Sequence, residues 1–103
     1  MFVVKKKYFL IIENTKDIDL KNIKLRNKFS IIYRNYKNQE NIHVLIRFTQ
    51  ICRMKDIKFY IANDLNLAVK IRAHGVYLPA FNNSLKCLTL KSSKFEIIVL
   101  HII

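Results

Sequence analysis

The sequence predicts an α/β fold built on a parallel sheet, and three observations lead there. Five short apolar runs rich in Ile, Val, Phe and Tyr recur along the 103 residues: Tyr8 to Ile12, Phe29 to Tyr33, Ile57 to Ala62, Gly75 to Leu78 and Phe95 to Leu100. They show little strict alternation, which is how strands read when both faces of a sheet are covered. The spacers between them carry helical periodicity instead of hairpin turns. Glycine and proline occur once each, at Gly75 and Pro79, which is too few for a turn-rich antiparallel sandwich.

Each spacer has its own logic. Between the second and third runs, residues 39–54 place Ile42, Leu45, Ile46, Thr49 and Cys52 at i, i+3, i+4 spacing, with Asn38 or Asn41 able to cap the start. Between the third and fourth runs, Leu67, Ala68 and Ile71 form a shorter stripe, with Asn63 or Asp64 as N-cap and Gly75 just past the end. Residues 17–28, with Leu20 and Ile23 inward, and 83–92, with Leu85 and Leu88 inward, are weaker helical candidates. The resulting order is β-α-β-α-β-α-β-α-β. Repeated βα units imply a parallel sheet with right-handed crossovers.

Composition narrows the function classes. A hydrophobic share of 51% is ample for a packed core. The formal charge of +12 attracts phosphate, whether in nucleic acid or in a small substrate. A competing explanation is a Lys/Asn/Ile-rich composition of the kind AT-rich codons encode, spread over a solvated surface. Cys52 and Cys87 are isolated thiols outside any C-x-x-C spacing, as expected of core sulfurs in a reducing cytoplasm. The apolar run at 8–12 is too short for a signal segment, and no run approaches the roughly 18 residues of a membrane span. A cytoplasmic protein with no membrane partner is therefore expected.

In parallel β/α folds, ligands meet the loops at the C-terminal ends of the strands. Those ends carry Glu13-Asn14-Thr15, Arg34-Asn35-Tyr36-Lys37, Asn63-Asp64 and residues 79–83. An Arg there can grip a phosphate in a bidentate pair, and an Asp one strand over can hold Mg²⁺ bridging a pyrophosphate. Asn-Asp is equally an ordinary helix N-cap, so the structural reading of Asp64 stands beside the functional one. His43, His74 and His101 lack metal-ligand spacing. His43 reads as a surface residue, and His74, ahead of the helix-ending glycine, as a partly charged partner of the helix dipole.

The stretch Phe59-Tyr60-Ile61-Ala62-Asn63-Asp64-Leu65-Asn66-Leu67-Ala68, followed by Ala73-His74-Gly75-Val76-Tyr77-Leu78-Pro79, resembles thiamine phosphate synthase and its TenI relatives. Those proteins have an apolar strand ending in Asn-Asp, a helix with Leu-Ala, and then Ala-Asp-Gly-Val-His-Leu. Ile31-Ile32-Tyr33-Arg34 resembles their strand ending Gln-Leu-Arg-Glu-Lys, and Tyr8-Phe9-Leu10-Ile11 their opening Tyr-Leu-Ile-Thr-Asp. The resemblance covers about the whole chain. It implies an incomplete TIM-type (β/α) barrel, about five parallel strands with intervening helices, as a single domain over residues 1–103. The family couples an aminopyrimidine diphosphate to a thiazole phosphate with release of pyrophosphate held by Mg²⁺. By resemblance, Arg34 and Asn63 would bind diphosphate, Asp64 would be a Mg²⁺ ligand, and Asn82 would stand at the second metal position. The partner implied is a phosphorylated small molecule.

Several positions depart from the family pattern. The Gln before the Arg falls on Ile32, the following Lys on Tyr36 or Lys37, the Arg after Asn-Asp on Leu65, and the His of Gly-Val-His-Leu on Tyr77. An amide at Asn82 in place of a carboxylate weakens a hard-cation site. A closed barrel needs about 200 residues, and the ending Ile97 to Ile103 reads as the product of a one-base deletion in a Gly-Ser-Ala-His strand end. The expectation is thus a truncated, degenerate copy without synthase activity. Its open edges would favour self-association, with Ile11, Ile31 and Ile61 poorly covered on the inner face. The alternatives are a TenI-like non-synthase such as a thiazole tautomerase, and a small basic nucleic-acid-binding module. The last would show a Lys/Arg stripe across an exposed sheet face, with tyrosines available for stacking.

Overall fold

Runs of β-branched and aromatic residues become strands where the sequence places them. The computed structural model describes residues 2–4, 7–23, 29–35, 37, 40–79 and 95–100. These form a six-stranded sheet: β1 (Phe2–Val4), β2 (Lys7–Ile12), β3 (Phe29–Tyr33), β4 (Lys58–Ala62), β5 (Gly75–Pro79) and β6 (Glu96–Leu100). Spatial order follows chain order, β1-β2-β3-β4-β5-β6. From β2 to β6 every pairing is parallel, with Ile12 opposite Tyr33, Tyr33 opposite Ile61, and Ala62 opposite Tyr77. β1 runs antiparallel to β2 with Val4 opposite Lys7, an element that three residues beside a lysine run do not announce. The two end strands do not pair among the described residues, so the sheet is not closed.

Among the described residues, two α-helices cross between strands. α1 (Ile42–Met54) is capped by Asn41, whose side chain accepts from the His43 amide at 2.8 Å. It buries Leu45, Phe48, Thr49 and Cys52. The Thr49 hydroxyl satisfies itself on the Leu45 carbonyl at 2.8 Å, so its burial leaves no orphan. α2 (Leu65–Lys70) is capped by Asp64 and buries Leu67 and Ala68. Neither is long and apolar enough to cross a membrane, and no other described helix is.

Both helices end in Schellman motifs. After α1, Asp56 adopts φ 56°, its amide reaching the Arg53 carbonyl at 3.2 Å and the Ile57 amide the Cys52 carbonyl at 2.9 Å. After α2, Arg72 adopts φ 57°, with Arg72 bonded to Val69 at 3.1 Å and Ala73 to Ala68 at 2.9 Å. Gly75 therefore does not end the helix, as its position suggested. It opens β5 with an ordinary backbone, and a charged residue occupies the left-handed site that glycine usually fills.

The segment after β2 corrects a second expectation. Instead of a helix over 17–28, the described part forms two 3₁₀ turns, Thr15–Asp17 and Leu20–Asn22. Short acidic side chains divert the backbone amides. Asp17 accepts from Glu13 and Asn14, and Asp19 from Lys21 and from the Asn22 side chain. Leu20 and Ile23 still reach the core. The helix expected at 83–92 lies outside the described residues.

Side chains sort onto the two sheet faces by parity. Ile12, Ile31, Tyr33, Phe59, Ile61, Val76 and Leu78 share one core with Leu45, Phe48, Cys52, Leu67 and Ala68 of the helices. Phe59 is at its centre, with ring centroids 4.9 Å from Phe48 and 6.1 Å from Tyr33. Phe9, Ile32, Tyr60, Ala62 and Tyr77 form a second cluster on the opposite face, with Ile11 and Ile98 against it. Ile31 and Ile61 thus sit under the helices and not on the inner face, where only Ile11 belongs. Nor is that inner face poorly covered: Ile32, Tyr60 and Tyr77 are no more than 3% exposed. Large rings from neighbouring strands cover one another there. Of the tyrosines in the strands, Tyr33, Tyr60 and Tyr77 are buried, whereas Tyr8 is 45% exposed.

Candidate functional site

The C-terminal ends of β3 and β4 bring three of the expected residues to one edge. Arg34 follows β3 directly, and its amide extends the ladder to the Ile12 carbonyl at 2.8 Å. Its side chain is exposed. Asn63 follows β4 on the neighbouring strand, exposed and in the left-handed region at φ 58°, with its amide on the Tyr77 carbonyl at 2.9 Å. Asn tolerates that conformation better than most residues, which turns the chain sharply out of the strand. Asp64 comes next and is half-buried, with Oδ1 accepting from the Leu67 amide at 3.0 Å.

The Asp64 carboxylate therefore works as an N-cap, with one oxygen engaged by the helix. Among the described residues no group of three His, Cys, Asp or Glu side chains is placed to hold a metal. A single half-buried carboxylate at β4 suits a Mg²⁺ that takes most of its ligands from water and substrate phosphate, and does not form a protein cage. Asn82, the other expected metal position, lies outside the described residues, as do Tyr36, Cys87 and His101. Lys37 is exposed.

The best-connected carboxylate at this end is one the sequence did not single out. Glu40 sits just ahead of the Asn41 cap. Its Oε1 accepts from the Thr15 amide at 2.7 Å and the Tyr33 hydroxyl at 3.1 Å, and its Oε2 accepts from the Thr15 hydroxyl at 2.6 Å. The Asn35 side-chain amide in turn donates to the Tyr33 hydroxyl at 3.2 Å. Burial raises the Tyr33 phenol above its ordinary value of 10.0, with the Glu40 carboxylate adding and the Asn35 bond opposing. The network ties the loop after β2 to both residues flanking Arg34 and to the start of α1. It holds the backbone from which Arg34 projects. No local motif could have revealed it, because Thr15 and Glu40 are 25 residues apart.

The histidines separate as well. His43 is exposed on α1. His74 is not a charged partner of a helix end: its Nδ1 accepts from the Phe59 amide at 3.0 Å, which requires a neutral ring. Burial, and then Arg53, lower its pKa below the ordinary 6.5. The buried Cys52 thiol is pushed up to about 12 by burial, so it packs as a small apolar group.

At the opposite end of the sheet, Glu96 of β6 accepts from the Tyr60 hydroxyl at 2.7 Å and pairs with Lys58 at 2.9 Å. The Lys58–Glu96 pair is about half exposed, so it contributes at most about 1 kcal/mol. An open apolar groove of about 250 Å³ runs between the 3₁₀ turns and α1, lined by Ile18, Leu20, Val44, Phe48 and Ile51. It includes none of Arg34, Asn63 and Asp64, so this groove and the polar strand ends are separate places. No protein-family model matches this chain, and neither does any curated protein or solved structure.

Proposed function

We propose that the chain is a thiamine-phosphate-synthase/TenI-type β/α protein, with an incomplete TIM-type barrel, that retains a diphosphate-gripping edge and lacks synthase chemistry. The reading rests on one juxtaposition: Arg34 and Asn63-Asp64 end two hydrogen-bonded parallel strands in a sheet whose spatial order is its chain order. The described helices, α1 and α2, both pack on one face, which supports a singly wound sheet, since a doubly wound one is covered by helices on both. Arg34 and Asn63 are both exposed at this edge, and guanidinium and amide groups are side chains that donate to phosphate oxygens.

The losses are specific. Ile32 stands where the family has a Gln for the pyrimidine; it is fully buried and has nothing to donate. Leu65, in place of a family Arg, packs against the core. Tyr77, in place of a family His, is buried on the inner face. Mg²⁺, when bound, would neutralise the charge growing on a departing pyrophosphate, and Asp64 is the carboxylate available to hold it. The nucleic-acid alternative expects an exposed, lysine-striped sheet, whereas apolar cores bury both faces of this one.

Two measurements test the proposal. Incubation with aminopyrimidine diphosphate, thiazole phosphate and Mg²⁺ should yield no thiamine phosphate above a no-enzyme control. Turnover abolished by Asp64→Ala would overturn the claim of lost chemistry. Titration calorimetry with inorganic pyrophosphate should show binding that weakens at least tenfold, about 1.4 kcal/mol, in Arg34→Ala. Indifference to that substitution would overturn the retained site.

A further inference from the structure

The start of β5 is built in an unusual way. In a regular parallel ladder, a strand residue accepts from one neighbour's amide and donates to a carbonyl two residues earlier on that same neighbour. The Phe59 carbonyl accepts from the His74 amide at 2.9 Å. The Phe59 amide would then meet the carbonyl of residue 72. But Arg72 belongs to the Schellman turn, and its carbonyl accepts from the Arg53 guanidinium instead. The Phe59 amide donates to His74 Nδ1, so an imidazole nitrogen replaces a ladder carbonyl. The His74 carbonyl meanwhile accepts from the Glu96 amide at 2.8 Å. One residue thus joins β4 to β5 by side chain and backbone, and β5 to β6 by backbone.

We propose that His74 is an acid-sensitive latch on the β4–β5–β6 corner: protonation at Nδ1 removes the acceptor of the Phe59 amide and opens the sheet there. A protonated imidazole has no lone pair left on Nδ1, so the contact turns from bond to donor–donor repulsion. The charged groups around it come from three elements. Arg53 on α1 and Lys58 on β4 oppose a cation, and Glu96 on β6 favours one while engaged with Lys58 and the Tyr60 hydroxyl. Burial, the largest influence, also opposes the charged ring. The sign follows. With a folded pKa below the unfolded 6.5, the stabilisation from His74 is complete above pH 6.5 and is lost as pH falls from there toward the folded value.

The test uses the intact chain. Nitrogen-15 spectra of the imidazole should show Nδ1 unprotonated and Nε2 protonated at about pH 7.5. The exchange protection of the Phe59 amide, corrected for the intrinsic pH dependence of exchange, should fall as pH drops below 6.5, by at most about tenfold per pH unit. His74→Asn offers an amide oxygen close to the position of Nδ1 and does not titrate. It should keep Phe59 protection constant down to about pH 5, whereas His74→Ala should be unprotected throughout. Equal acid loss in His74→Asn and wild type would overturn the latch. So would an Nδ1 protonated at neutral pH, a reading on the wild-type chain that stands even if a variant fails to fold.

Discussion

Replacing the chain's one glycine isolates space from conformational freedom. Gly75 faces Glu96 across the β5–β6 ladder. A Cβ built on it would lie 1.8 Å from the Glu96 carbonyl oxygen, 2.7 Å from that carbonyl carbon and 3.1 Å from the Glu96 Cα, all backbone atoms. Contacts under 3.0 Å essentially never occur for a Cβ, so β6 would have to retreat by about 1.2 Å in Gly75→Ala. The Glu96 amide, 2.8 Å from the His74 carbonyl, would then stand about 4 Å away, beyond hydrogen-bond reach. Losing that bond costs about 1–3 kcal/mol, and the overpacking about 1–3 kcal/mol more. The expected loss is about 2–6 kcal/mol, and Glu96 would also be drawn off Tyr60 and Lys58. Urea denaturation with matched m-values reads it as a lower midpoint. The backbone at Gly75 is one that any residue adopts, since no glycine here has positive φ. If steric approach were irrelevant, alanine would raise stability by about 0.5–1 kcal/mol through strand propensity. An Ala variant as stable as wild type, or more so, refutes the argument by its sign.

The left-handed residues make the converse prediction: Asp56→Gly and Arg72→Gly should each stabilise by about 0.5–1 kcal/mol in thermal melts, because both pay a Cβ penalty at φ near 57°. Asp64→Ala should cost about 1 kcal/mol as a lost cap while Asp64→Asn leaves the melt nearly unchanged; a large loss in the Asn variant would mean that the charge, not the cap, matters at this position. Phe59→Ala should lose about 3–5 kcal/mol by equilibrium denaturation, since Phe59 is fully buried between Phe48 and Tyr33.

Much of this architecture is local and was open to reading from the chain. Ile31-Ile32-Tyr33 and Phe59 to Ala62 are β-branched and aromatic runs, and each became a strand. Asn41 and the Leu45–Thr49–Cys52 stripe define α1, because cap chemistry and a 3.6-residue period act over a few residues. The same proximity in sequence placed Arg34 and Asn63-Asp64 at strand ends. What the sequence left undecided depends on partners far along the chain. Parity alone cannot say which face receives the helices, so Ile31 and Ile61 went under α1 and α2 while Ile32 and Tyr60 turned inward. Glu40 gained its role only when the loop holding Thr15 came beside it, and Glu96 when β6 brought it to Tyr60, 36 residues away. Gly75 looked like a helix terminator because that is glycine's commonest local use. Tertiary structure gave the turn to Arg72, whose carbonyl Arg53 could satisfy, and required glycine where two strands approach too closely for a Cβ. Local rules choose elements because short-range sterics and hydrogen bonds act within a turn. Contacts between elements choose among the uses a residue can have, and those exist only once the sheet has assembled.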